Sequence, residues 1–76
     1  MNTSLFVGLC EDAGLEVDFR RELIYVHAPN GTLIATVDEA ARALFWIDTY
    51  GIGPEDAIAV TEIIVPYALT PIEERE

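Results

Sequence analysis

Leu23-Ile24-Tyr25-Val26-His27-Ala28 and Thr32-Leu33-Ile34-Ala35-Thr36-Val37 flank the tripeptide Pro29-Asn30-Gly31. Both flanks are rich in β-branched and aromatic residues, which fit a pleated sheet. Asn-Gly between apolar runs marks a hairpin, because both residues accept positive φ. Two loop geometries fit. A two-residue Asn30-Gly31 loop pairs Ala28 with Leu33, Val26 with Ala35 and Ile24 with Val37, giving one apolar face and leaving Tyr25 beside Thr36 on the other. A type I turn at Pro29-Asn30 with Gly31 in a bulge suits proline better, since proline cannot donate the bond that the tighter loop asks of its flanking residue. The proline tips the reading to the bulged loop, and a one-residue change of register would exchange the faces of the return strand.

Upstream, Arg20-Arg21-Glu22 reads as a turn, and before it Leu15, Val17 and Phe19 alternate with Glu16, Asp18 and Arg20. That period of two predicts a half-buried strand with acids on its wet side. Thr3 or Ser4 caps a first helix over residues 4–13, with Leu5, Phe6, Leu9, Cys10 and Ala13 on one face, Glu11 and Asp12 outward, and Gly14 as the stop.

Downstream, Thr36 and Glu39 have the spacing of a capping box. Ala40, Ala41, Leu44, Phe45, Ile47 and Asp48 then follow at helical spacing, predicting a second helix to Tyr50 with Gly51 as its stop and Asp38 paired with Arg42. Gly53-Pro54-Glu55-Asp56 starts a further helix. Residues 60–65, rich in Val, Ile and Thr, read equally as its continuation or as a last strand, and Pro66 is expected to end either. Residues 71–76 form a charged, acidic tail expected to fray. The expected fold is α+β in one domain over residues 1–76: an N-terminal helix, a three-stranded antiparallel meander, a helix, then a short helix or last strand, with the helices packed on one side of the sheet.

Composition narrows the function classes. In 76 residues, Leu, Ile, Val and Phe make up about a third, enough for a small core but not for a multi-step enzyme. Fourteen acids oppose four arginines and no lysine, for a net charge of −10. Direct binding to nucleic acid or anionic lipid is thereby excluded. One cysteine makes no internal disulfide, and no apolar run approaches the ~20 residues of a bilayer span, so a cytoplasmic setting is expected.

No constellation points to catalysis. His27 stands alone in a strand, and Ser4, the single serine, falls in a helix cap. Cys10 is expected on an apolar helix face beside acids, which keeps it a thiol. Glu11, Asp12, Glu16 and Asp18 come nearest to a calcium loop, but Gly14 separates them and the alternate ligand spacing is missing. Gly51-Ile52-Gly53 lacks a P-loop lysine, and Glu55 and Asp56 repel an anion. The expectation is a chain that is not an enzyme and has no cofactor or metal.

Charge is the feature furthest from the ordinary. Its readings are general solvation of the halophilic kind, an arginine-biased composition with acids for solubility, or carboxylates that meet a basic partner. For the last, Glu16 and Asp18 at i and i+2 of a strand lie about 6.6 Å apart, near two base-pair rises of duplex, about 6.8 Å. Glu11, Asp12, Asp38, Glu39, Glu55 and Asp56 extend the negative surface, and Trp46 is a candidate anchor on the flank of the second helix.

In size and charge the chain resembles the small acidic inhibitors that phages make against host defence, including anti-CRISPR proteins that act as DNA mimics. The resemblance implies a partner whose Lys/Arg channel, such as that of a CRISPR effector subunit, is occupied by Glu16, Asp18 and their neighbours. The expected function is a non-enzymatic acidic binding protein that blocks a basic nucleic-acid-binding surface. The alternative is a small structural or adaptor subunit, self-associating through a sheet edge or Trp46, whose acidity serves solubility.

Overall fold

The computed structural model describes residues 1–76. The chain is α+β: helix α1 (Thr3–Asp12), strands β1 (Glu16–Arg20), β2 (Leu23–His27), β3 (Leu33–Asp38) and β4 (Phe45–Ile47), helix α2 (Pro54–Leu69) and a 3-10 turn at Ile72–Glu74. The strands form one antiparallel sheet in the order β1-β2-β3-β4. Phe6 and Cys10 of α1, Ile24, Val26 and Val37 of the sheet, and Val60, Ile64 and Tyr67 of α2 share one buried cluster. Both helices therefore cover the same sheet face, and the face carrying Tyr25, Thr36 and Trp46 has no helix over it.

The hairpin takes the bulged loop, and a second bulge beyond it restores the strand pairing of the tighter one. Gly31 N–H donates to Ala28 O at 2.9 Å and Gly31 has φ +87°, the type I turn with a left-handed glycine. Ala28 N–H then meets Thr32 O at 2.8 Å, and His27 pairs with Leu33. One residue further, a bulge at Ile34 shifts the register, so that Val26 faces Ala35 and Ile24 faces Val37. The bulge is why Ile34 and Ala35, neighbours in sequence, are both fully buried.

Helix α1 is capped by Asn2, not by Thr3 or Ser4: Asn2 Oδ1 accepts from Leu5 N–H at 2.8 Å. It ends as expected at Gly14, φ +77°, where Gly14 N–H donates to Glu11 O and Leu15 N–H to Cys10 O. Phe6 stacks on Tyr67 of α2 with ring centroids 4.0 Å apart. Leu5, expected in the core, is half exposed.

The helix expected over 36–50 does not form. Thr36 and Val37 continue β3, and Asp38 Oδ1 accepts from Ala40 and Ala41 N–H to make a turn in place of a helix start. Ala43 has φ +64°, which no helix contains, and Phe45-Trp46-Ile47 pairs with β3 as a fourth strand. Three consecutive β-formers beside an open strand edge outweigh the helical spacing of their neighbours. Asp38 and Arg42 do not pair; Arg42 Nε donates to Leu69 O at 2.6 Å.

The open question at residues 60–65 resolves as helix. Pro66 does not end it: the proline faces solvent, while Val60, Ile63, Ile64, Tyr67 and Ala68 are buried at helical spacing. Burial on both sides of Pro66 offsets the roughly 3 kcal/mol that an interior proline costs. The tail expected to fray folds back: Arg75 is 4 % exposed, and Thr3 N–H donates to Arg75 O.

Candidate functional site

Charge is segregated along the strands. At the hairpin end the turn Pro29-Asn30-Gly31 meets both the end of α1 and the start of α2. A Cβ on Gly14 would lie 3.7 Å from Pro29, and one on Gly51 would lie 3.6 Å from Thr32. Glu11 and Asp12 in the last turn of α1, Glu16 opposite His27, and Glu55 and Asp56 in the first turn of α2 all stand at this end. Asp48 joins them, since its N–H donates to Ile34 O at 2.9 Å beside the bulge. Glu11, Glu16 and Asp18 also line one groove, with His27, along the free edge of β1.

All four arginines lie away from this acidic pole, at the other end of the sheet. Arg20 and Arg21 enter the β1–β2 turn, and Arg42 reaches the end of α2. Arg75 donates to Asp38 O at 2.7 Å, Ala68 O at 3.0 Å and Thr70 O at 3.1 Å, with its guanidinium carbon 4.8 Å from the Tyr67 ring centre. The amino terminus is there too, bonded to Thr70 Oγ1.

The residues singled out in the sequence therefore divide. Glu11, Asp12, Glu16, Glu55 and Asp56 converge on the hairpin end. Asp38 and Glu39 sit at the arginine end, where Glu39 N–H donates to Glu22 O. Asp18 shares the outward face of β1 with Glu16 but pairs with Arg20 at 2.6 Å, the one ion pair in the protein. With both side chains well exposed, that pair contributes little to stability, yet it interrupts the expected Glu16–Asp18 track. Trp46 stands on the uncovered sheet face at the β4 edge, 45 % exposed, not on a helix flank. Asp48, expected within the helix that does not form, is brought to the pole by the strand pairing of Phe45-Trp46-Ile47.

Local physics accounts for only part of the pole. Glu55 and Asp56 lie at the positive end of the α2 dipole and stabilise it. Glu11 and Asp12 lie at the negative end of α1, whose last turn holds no basic residue, so they oppose its dipole. Cys10, buried in the same last turn, has its thiol pushed up to about 11 by burial and by the Glu11 charge. Both influences favour its protonated form over the thiolate.

His27 is half-buried on the uncovered face, and no three His, Cys, Asp or Glu side chains are grouped to hold a metal ion. No helix is long and apolar enough to cross a membrane. Comparison with protein-family models, curated proteins and solved structures found no match.

Proposed function

We propose that the protein is a non-enzymatic acidic binding module whose hairpin end occupies a basic, nucleic-acid-recognising surface on a partner protein. One observation carries this reading. Glu11, Asp12, Glu16, Asp48, Glu55 and Asp56 gather where no arginine stands, and two of them oppose the dipole of the helix that bears them. Carboxylates kept where they cost helix stability suit a surface selected for something other than folding. A concentrated negative end steers the molecule toward a cationic groove and competes there with phosphates. The resemblance to phage-encoded anti-CRISPR inhibitors accords with such a partner, a CRISPR effector subunit among the candidates.

The test is competition with duplex DNA for a cationic DNA-binding protein, titrated across salt concentrations. Affinity should fall steeply as salt rises. Glu11→Lys with Glu16→Lys should abolish competition, while the charge-matched Glu73→Lys with Glu76→Lys should leave most of it. Equal loss from both pairs would mean that net charge alone is read, and no loss from either would refute the pole. The alternative, an adaptor subunit acidic for solubility, draws its support from the apolar β4 edge; its binding should be almost indifferent to salt.

A further inference from the structure

The two free edges of the sheet differ in chemistry. β1 carries Glu16, Asp18 and Arg20, the sort of charged strand that blocks edge-to-edge pairing. β4 has no charged residue between Arg42 and Asp48, and Leu44, Phe45 and Trp46 are 58 %, 37 % and 45 % exposed. Its edge carries no charge, proline or bulge, and its three-residue length is the one guard it has against pairing.

We propose that β4 pairs with β4 of a second copy of this chain, antiparallel about a two-fold axis at Trp46, so that two four-stranded sheets become one. The backbone permits this register and opposes one centred on Phe45. Asp38 N–H donates to Leu44 O, Trp46 faces Thr36, and Asp48 N–H donates to Ile34 O. Residues 44, 46 and 48 thus direct their peptide groups to β3, and the alternation leaves those of Phe45 and Ile47 directed outward. Centring on Trp46 sets Phe45 of each copy against Ile47 of the other, each pair exchanging both N–H···O bonds. Centring on Phe45 would recruit Ala43 instead, whose φ of +64° and N–H bond to Ala68 O take it out of any strand.

Charge chooses the second copy over an unrelated strand. An antiparallel match sets the acidic hairpin end of one copy beside the arginine end of the other and holds the two acidic ends apart. Arg42 of each copy comes alongside Asp48–Tyr50 of the other, on either side of an apolar centre. Trp46 meets its own copy at a non-hydrogen-bonded position, where side chains approach most closely.

Sedimentation velocity on the chain alone, over a concentration series, should show the mass doubling from 8.4 kDa. Trp46→Lys should keep the circular dichroism of the native protein and remain monomeric at every concentration. Asp18→Asn, on the other edge, should leave the dimer intact. Trp46→Cys should form a covalent dimer under mild oxidation, because opposed Cβ atoms at such a position fall within disulfide reach and the native Cys10 is buried. A chain that stays monomeric throughout, a dimer that survives Trp46→Lys, or one that Asp18→Asn dissolves would overturn the proposal. A dimer in which Trp46→Cys does not cross-link would overturn the axis at Trp46.

Discussion

Arg75 and Glu11 stand at opposite ends of the strands, and charge has a different task at each. Arg75 is buried, with three carbonyl acceptors and the face of Tyr67 around it, tying the tail to α2 and to the end of β3. Glu11 is exposed in the last turn of α1, on the wrong side of that helix's dipole, with no cation to meet it. One end uses charge to close the fold, and the other holds it free toward solvent. A net charge of −10 therefore describes neither region: all four arginines stand toward one end, and the carboxylates of the hairpin end have no arginine paired with them.

The sharpest way to break this comparison is Arg75→Ala. It leaves carbonyls of Ala68, Thr70 and Asp38 without their donor and should cost about 3 kcal/mol in urea denaturation. Glu16→Ala at the other end should stay within roughly 0.5 kcal/mol of the native chain. Comparable losses would mean that the hairpin end is also held by charge.

Next in size is Gly31→Ala. It forces a Cβ onto φ +87° and should lower stability by roughly 1–2 kcal/mol without any change of charge, which separates the geometry of the hairpin end from its electrostatics. Smaller, and opposite in sign, is the pair Glu11→Gln with Asp12→Asn. Relieving the α1 dipole should raise stability by about 0.3–1 kcal/mol per site at low ionic strength, an effect that salt removes. Glu55→Gln at the favourable end of α2 should lower it, and the two together read the pole residue by residue.

At neutral pH the smallest effect is that of Cys10, whose thiol keeps its proton both folded and unfolded. Its thiol titrates near 9 when unfolded and near 11 in the fold. The folded state thus holds the proton more tightly. Its contribution to stability is whole below pH 9 and declines as pH climbs from 9 toward 11. A thiol reagent at pH 8 should leave Cys10 unmodified until denaturant is added.

Much of the fold was legible where local signals agreed. Gly14 stopped α1, alternation from Leu15 to Arg20 made a strand, and Pro29-Asn30-Gly31 made the hairpin, each through a backbone preference that operates within a few residues. The same local reading failed at 36–50. Ala40, Ala41 and Leu44 have the spacing of a helix, but pairing with β3 drew Phe45-Trp46-Ile47 into the sheet. Pro66 misled in the other direction, since burial of Tyr67 and Ala68 carried the helix past it.

The candidate site divides along the same line. An excess of carboxylates is a property of composition, and so is the expectation that nucleic acid is not a direct ligand. That Glu11, Asp12, Glu16, Glu55 and Asp56 share one end, while Asp38 and Glu39 lie with the arginines, depends on how the ends of α1, α2 and the hairpin meet. Residue types and their spacing determined the elements that close on themselves through short-range hydrogen bonds. Which charges became neighbours, and which strand edge stayed bare, was decided only when distant apolar faces were buried against each other, because that packing sets the direction of every helix and strand at once.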